Sequence, residues 1–377
     1  MEIYVVQPGD TLTNIAENFG VSVRELSAIN GIPLNEGLVV GQTVVITFPQ
    51  DRPIYEASVY GYAYPFIDFG LLREVLPFNT YLMPFTYGFT PSGELVELND
   101  GALLSLAREY DTAPLMHLST LTEEGGFDSA LADIVLNNPQ SRENLIENVI
   151  STIDAKGYAG LDIDFEYIPS RSAAAYAALV TEFRERLNVE GKTVIVALAP
   201  KTSADQRGLL YEGHDYGLLG QAADYVLLMT YEWGYTYGPP QAVAPIPNVR
   251  AVVEYALTEI PREKIYLGIP NYGYDWTLPF VQGESRAQSI SNVSAVALAR
   301  QYGAEILFDE MAQSPYFNYT DGAGRLHEVH FEDARSISAK LSLLPEYSLY
   351  GAGYWNLMRP FPQNWAVLSS LIDIRRI

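Results

Sequence analysis

From residue 54 to residue 377, short β-rich runs alternate with amphipathic helical patterns, and that alternation admits few folds. The runs fall at 56–62, 80–85, 113–118, 160–167, 193–199, 225–231, 265–270 and 349–355. Between them lie helix-period patterns, such as Leu145, Ile146, Val149, Ile150 and Ile153 closed by Gly157, and the stretch 173–187. Eight strands with intervening helices predict an α/β chain folded as a (β/α)8 TIM barrel. A doubly wound open sheet is the alternative, and no glycine-rich phosphate loop supports it. The alternation breaks at about 278–339. That stretch holds one helical pattern at 292–302 and strand-like runs at 306–309, 316–320 and 326–331, so it reads as a small α+β insertion between strands seven and eight.

The first 48 residues read as a separate βααβ module. Pro8-Gly9-Asp10 is a turn, and Thr11 or Asp10 can cap a helix whose apolar face is Leu12, Ile15, Ala16 and Phe19. Gly20 stops that helix. Ser22 and Glu25 make a capping-box pattern for a second one, and Asn30-Gly31-Ile32-Pro33 ends it. A strand at 44–48 follows the Gly41-Gln42 turn. Residues 49–53 read as a linker, and 54–377 as the barrel with its insertion. Tyr4 to Leu12, Ile15-Ala16, Asn30-Gly31 and Gly41-Gln42 together resemble a LysM domain. The resemblance implies binding of N-acetylglucosamine glycans such as peptidoglycan or chitin. It places the groove between the Gly9, Asp10, Thr11 and Leu12 loop and the loop around Leu34. A DNA-binding helix pair is a poor alternative, since Arg24 is the sole basic residue in 1–48.

The run 160–167 reads Gly-Leu-Asp-Ile-Asp-Phe-Glu-Tyr. Strand side chains alternate, so Asp162, Asp164 and Glu166 share one face while Leu161, Ile163 and Phe165 share the other. In a barrel the apolar set packs on the helices, and the acids point inward and climb to the C-terminal mouth, where active sites of this fold lie. Like charges spaced about 6 to 7 Å along a strand raise at least one pKa and suit Glu166 to act as a general acid. Carboxylates paired with Arg or Lys, or an oxygen-ligand site for Mg or Ca, are the alternatives.

That segment resembles the active-site strand of glycoside hydrolase family 18, whose pattern is Asp-Gly-x-Asp-x-Asp-x-Glu; here Ala159 stands at the first position. Met229-Thr230-Tyr231-Glu232 resembles the family's strand-six motif, with Glu232 where Asp is usual, and Tyr354-Trp355 matches the Trp of strand eight. The resemblance implies substrate-assisted retaining hydrolysis. Glu166 would protonate the glycosidic oxygen and the substrate's acetamido oxygen would attack. Asp164, with Asp162 below it, would orient the oxazolinium, and Tyr231 would hydrogen-bond the same group. Trp355 would floor the sugar site. No cofactor and no metal is implied. A LysM module fused to such a barrel resembles the spore cortex-fragment lytic N-acetylglucosaminidases of endospore-forming bacteria, which are made in the mother cell without a secretory signal. A chitinase on the same barrel and a catalytically silent lectin or spore-coat protein are the alternatives.

Trp233, Trp276, Tyr87, Asn271 and Tyr272 follow candidate strands and are expected to line the sugar groove. His327 and His330, on opposite faces of a strand-like run, are expected to be structural. Acidic residues outnumber basic ones 46 to 23, which argues against nucleic acid and against anionic lipid. There is no Cys, so disulfides, zinc thiolates and thiol nucleophiles are excluded. No apolar run has the length of a membrane helix, and the N-terminal residues do not read as a signal peptide. The expected partner is a peptidoglycan or chitin-type glycan, bound by a monomer.

Overall fold

The structure is a computed structural model and describes residues 1–122 and 126–377. At the N-terminal side, β1 (Glu2–Val5) pairs antiparallel with β2 (Thr43–Ile46), and α1 (Leu12–Phe19) and α2 (Val23–Asn30) lie between them. Thr11, not Asp10, caps α1. Its hydroxyl accepts from the Asn14 backbone N–H at 3.1 Å, and the Asn14 side chain accepts in return from the Thr11 N–H at 2.9 Å. Such a cap is worth about 1 kcal/mol. Asp10 serves the turn, accepting from the Gln7 N–H and the Tyr4 hydroxyl, each at 2.7 Å. Leu12, Ile15, Ala16, Leu26, Val44 and Ile46 form this unit's own core.

The barrel strands are β3 (Tyr55–Ala63), β4 (Tyr81–Pro84), β5 (Met116–Ser119), β6 (Gly160–Asp164), β7 (Thr193–Leu198), β8 (Tyr225–Leu228), β9 (Ile265–Pro270) and β10 (Gly351–Trp355). Every neighbouring pair is parallel, and β10 returns to β3. The circuit comes round at the third strand, where Ala113–Pro114 pairs with β4 while β5 pairs with β6. Leu161 and Ile163 point outward into a continuous cluster with helices such as Pro139–Lys156 and Ala173–Leu187. The inward residues form a second cluster rich in aromatics, with Tyr60, Tyr62, Met83, Ile195, Leu227 and Tyr266. The barrel is therefore filled, and a polar group inside it is shut off from water.

Two strands stop three residues earlier than their sequence runs predict: β6 ends at Asp164 and β8 at Leu228. Tyr167 and Glu232, just beyond, sit at φ 56° and 66°. That left-handed region is unfavourable for residues with a Cβ and turns the chain off the sheet. The consequence is that Glu166, Tyr231 and Glu232 stand on the mouth of the barrel and not within the ladder.

The insertion is a five-stranded antiparallel sheet with α3 (Asn292–Tyr302) packed on it. It starts at Gly273–Thr277, ahead of the expected position 278, because Tyr274 to Thr277 pair as a strand with His327–His330 and do not form a loop. It also gives way to the barrel before position 339: Ala334, Ile337 and Leu341 pack in the outer barrel cluster. The N-terminal unit docks on this insertion and on the last helix. The Ile306 N–H donates to the Val40 carbonyl at 2.9 Å, Arg300 donates to the Gly37 carbonyl at 2.8 Å and pairs with Glu36, and Gln363 Nε2 donates to Asn30 Oδ1 and to the Thr43 carbonyl. Gly41, at φ 84°, lies so close that a Cβ there would be 1.8 Å from the Ile306 carbonyl oxygen.

Candidate active site

Strand β6 carries the acids in a rising column. Asp162 is wholly buried. Its Oδ2 meets His117 Nδ1 at 2.6 Å and accepts from the Tyr62 hydroxyl at 3.0 Å. Pairing of β5 with β6 sets His117 directly opposite Asp162. Asp164 ends the strand. Burial first, then the charge of Glu166, with Asp162 adding, pushes its carboxyl up to about 8. Glu166, two residues on, is raised above the usual glutamate range by burial and by the charge of Glu232. An upward-shifted carboxyl at the barrel mouth is suited to the role of a general acid.

Tyr231 is buried, and burial with the charge of Asp164 holds its phenol far above the ordinary value, so it remains a neutral donor. Its ring needs Gly268 beside it: a Cβ there would be 2.8 Å from Tyr231 Cε1. Glu232 accepts from the Tyr272 hydroxyl at 2.5 Å and from Tyr274 at 3.0 Å; burial nevertheless raises its carboxyl. Glu232 shares an open cleft with Tyr64, Phe66, Tyr272, Tyr274, Trp355 and Arg359. Trp355 is half-buried and meets the rings of Tyr62 and Phe85 edge-on at 5.4 and 5.0 Å, which holds its ring in the cleft wall. Aromatic walls with a few convergent polar groups suit a pyranose ring.

Not every expected contact lies there. Tyr87 is fully buried on the far side of its strand's turn, donating to Asp100 at 2.5 Å and accepting from Lys156; its aromatic bulk fills the core and does not line the cleft. Trp276 is 1% exposed, with its indole N–H donating to the Gly238 carbonyl at 2.8 Å. Trp233 packs half-buried against the outer barrel cluster. Asn271 is buried beneath the cleft, donating to the Asn356 and Arg359 carbonyls, each at 2.9 Å, so it braces the cleft wall. In the N-terminal unit Gly9 sits at φ 90° in the exposed turn and Leu34 is 57% exposed, but Leu12 belongs to the core. His327 and His330 serve the insertion, His327 meeting Asp275 at 2.8 Å and His330 meeting Glu328 at 2.8 Å.

The sequence reading missed His117 and Tyr62. His117 and Tyr62 carry the inward parity of their runs, so only strand order was needed to bring them to Asp162. Among the described residues no group of three or more His, Asp or Glu has the arrangement of a metal site.

Residues 111–359 match the family model described as Glycosyl hydrolases family 18, and residues 4–47 match that of the LysM domain. A cortical fragment-lytic enzyme of Bacillus subtilis (strain 168) is 41% identical over 99% of this chain and 99% of its own. The crystal structure of the Bacillus cereus spore cortex-lytic enzyme SleL superposes with a TM-score of 0.82 at 37% identity, covering 99% of this chain and 87% of that one. A chitinase from Chromobacterium violaceum ATCC 12472 shares the fold, with a TM-score of 0.78 at 24% identity over 83% of this chain and 98% of that one. Carrying its acids on β6 of a nearly closed parallel barrel and a LysM unit ahead of it, the chain belongs to the family 18 glycosyl hydrolases and is a glycosidase.

Proposed function

We propose that the chain cleaves the N-acetylglucosamine-containing glycan of spore cortex peptidoglycan, with retention and by substrate-assisted catalysis. The observation that carries this reading is the raised Glu166 carboxyl at the barrel mouth with the Asp164 carboxyl two residues below it. Glu166 gives its proton to the glycosidic oxygen. The 2-acetamido oxygen of the substrate closes on the anomeric carbon, so no second protein carboxylate acts as nucleophile. Asp164 faces the oxazolinium nitrogen, Tyr231 donates to the acetamido group, and Asp162 supports Asp164 from below. Glu166, now ionised, takes a proton from the water that opens the ring. Trp355 and Tyr272 hold the sugar. General acid–base catalysis of this kind contributes about 10²- to 10⁴-fold.

The division of labour we propose gives residues 1–48 glycan retention, through the turn at Gly9, Asp10 and Thr11 and the exposed Leu34, and residues 54–377 hydrolysis, in a monomer associated with the spore. The cortex as substrate follows the names of the relatives that match at 41% and 37% identity over almost the whole chain.

Mass spectrometry of products from cortex fragments and from chitin oligomers, with the native chain and Glu166→Gln, tests it. New reducing-end N-acetylglucosamine from cortex only, lost in the variant by about 10²-fold or more, is the expected result. Cleavage of chitin alone makes the enzyme a chitinase, and binding of both without cleavage overturns the catalytic reading.

A further inference from the structure

His117 is a wholly buried titratable group that the sequence assigned no task. Strand pairing sets it opposite Asp162, and its ring has no freedom to leave. One face stacks on Phe85 at 4.7 Å and 24°, and the Tyr62 ring meets it edge-on at 5.1 Å. Nδ1 lies 2.6 Å from Asp162 Oδ2, and Nε2 has no hydrogen-bond partner among the described residues.

Resting on the glycosidase reading above, we propose that His117 is a positioning residue of the reaction, a neutral imidazole whose Nδ1–H holds Asp162 as the ionised member of the acid column beneath Asp164. The orphaned Nε2 is the first reason. In the Nδ1–H tautomer that atom is a bare lone pair, which costs less in an apolar pocket than an N–H with no acceptor. The partners of Asp162 are the second. The titratable groups that face it are Tyr60 and Tyr62 from β3, Asp164 on its own strand, Tyr176 from the helix Ala173–Leu187, Tyr231 beyond β8, and His117 from β5. Burial keeps all four tyrosines un-ionised near neutrality. No Lys or Arg among the described residues makes an ion pair with Asp162. Its charge is therefore carried by two donors on one oxygen, the His117 N–H and the Tyr62 hydroxyl.

The third reason is what this arrangement leaves free. Asp162 Oδ1 and Asp164 Oδ1 are both buried without partners among the described residues. With Oδ2 saturated, the charge on Asp162 acts upward on Asp164 and favours a proton there. A donor removed from below makes Asp162 easier to protonate, so the column loses its ionised member at a higher pH than before.

Two substitutions separate this role from mere packing. His117→Phe keeps the ring stacked on Phe85 and deletes the donor. His117→Asn sets its Nδ2–H where Nδ1–H stands. Turnover of cortex peptidoglycan fragments by the full chain is measured across pH, with unfolding curves alongside. For His117→Phe, kcat falls about 10- to 100-fold, as expected for a lost hydrogen bond to a charged group. KM stays within about twofold, and the acid limb of the profile moves up by about one unit. His117→Asn keeps kcat within about threefold and leaves the limb in place. A His117→Phe chain with native kcat and limb overturns the proposal, as does a folded His117→Asn chain that behaves like His117→Phe. Nitrogen NMR of the unaltered chain, which has only 4 histidines, decides the matter even when a variant fails to fold. A proton on Nδ1 alone at neutral pH is expected; protonation at Nε2 or at both nitrogens overturns it. If the native chain cleaves no glycan the catalytic reading fails separately, and the NMR result still stands on its own.

Discussion

Asp164→Asn is expected to stabilise the chain, by an amount that grows with pH. The folded-state carboxyl lies at about 8 against the ordinary 3.8. Between those values the folded chain holds a proton that the unfolded chain has released. Protons bound in the folded state exceed those in the unfolded state, so stability falls as pH rises, at about 1.4 kcal/mol per unit for one full proton. The whole interval, about four units, sets a ceiling of roughly 6 kcal/mol, reached once pH passes the folded value. Below about pH 4 both states are protonated and the carboxyl costs nothing extra. Asparagine has nearly the same shape and does not titrate. Part of the relief passes to Glu166, because neighbouring carboxyls titrate as a pair, but the sign is unchanged. Urea unfolding of both chains at about pH 5, 6, 7 and 8 gives the test. The variant's midpoint should pull ahead of the native one steadily over that range and level off above it. A gap that is the same at every pH refutes the argument, since a constant offset reports packing and not a displaced titration. Activity of the variant should fall by about 10²-fold or more, because asparagine has no proton to give up and cannot become the negative group that faces the developing cation.

Other perturbations follow from the same geometry. Gly41→Ala drives a Cβ to 1.8 Å from the Ile306 carbonyl oxygen at φ 84°, and should lower stability by about 2 kcal/mol or more in thermal unfolding while turnover of a soluble substrate is kept. Gly268→Ala brings a Cβ to 2.4 Å from the Leu228 carbonyl oxygen and 2.8 Å from Tyr231 Cε1, and should reduce kcat by about tenfold to 10²-fold by displacing the phenol. Lys340→Met strands the Glu332 carboxylate, its 2.7 Å partner, both being buried, at a cost of about 3 to 5 kcal/mol in denaturant unfolding. Adding Glu332→Gln to that variant should recover much of the loss.

The barrel was legible because each strand is a compact apolar run set apart by helix-period stretches, and the acid column was legible because charge alternates with Leu161, Ile163 and Phe165 at a period of two. What escaped the sequence depends on register or on depth. His117 meets Asp162 across a strand pair, and one residue of slip would have turned it outward. Tyr87, Trp276 and Tyr272 all follow a strand, yet only Tyr272 reaches the cleft; an aromatic after a strand is equally suited to core and to groove, and only packing separates them. The early end of β6 and β8 lies in backbone signs at Tyr167 and Glu232 that neither residue type announces.

The manner in which the site balances its charge bears on its chemistry. Asp162, Asp164 and Glu166 rise toward the mouth where Glu232 stands; Asp162 is held by His117 and the Tyr62 hydroxyl and Glu232 by the hydroxyls of Tyr272 and Tyr274, not by ammonium or guanidinium groups. Arg359, which does reach the cleft wall, is spent on the Ser289 hydroxyl and the Ile290 carbonyl at 3.0 and 2.6 Å. Neutral donors make the carboxylates tolerable in the barrel without cancelling their field. That is the arrangement a cationic transition state calls for: positive charge spread over the anomeric carbon and the oxazolinium ring is stabilised by fixed negative groups that do not reorganise as it forms. A fixed cation beside Asp164 would have lowered its carboxyl more effectively than any hydroxyl, and would also have opposed the charge that develops above it. The raised Asp164 and Glu166 carboxyls and the absence of an ion pair on either of them among the described residues are thus one property of the site, seen first in its resting state and then in its reaction.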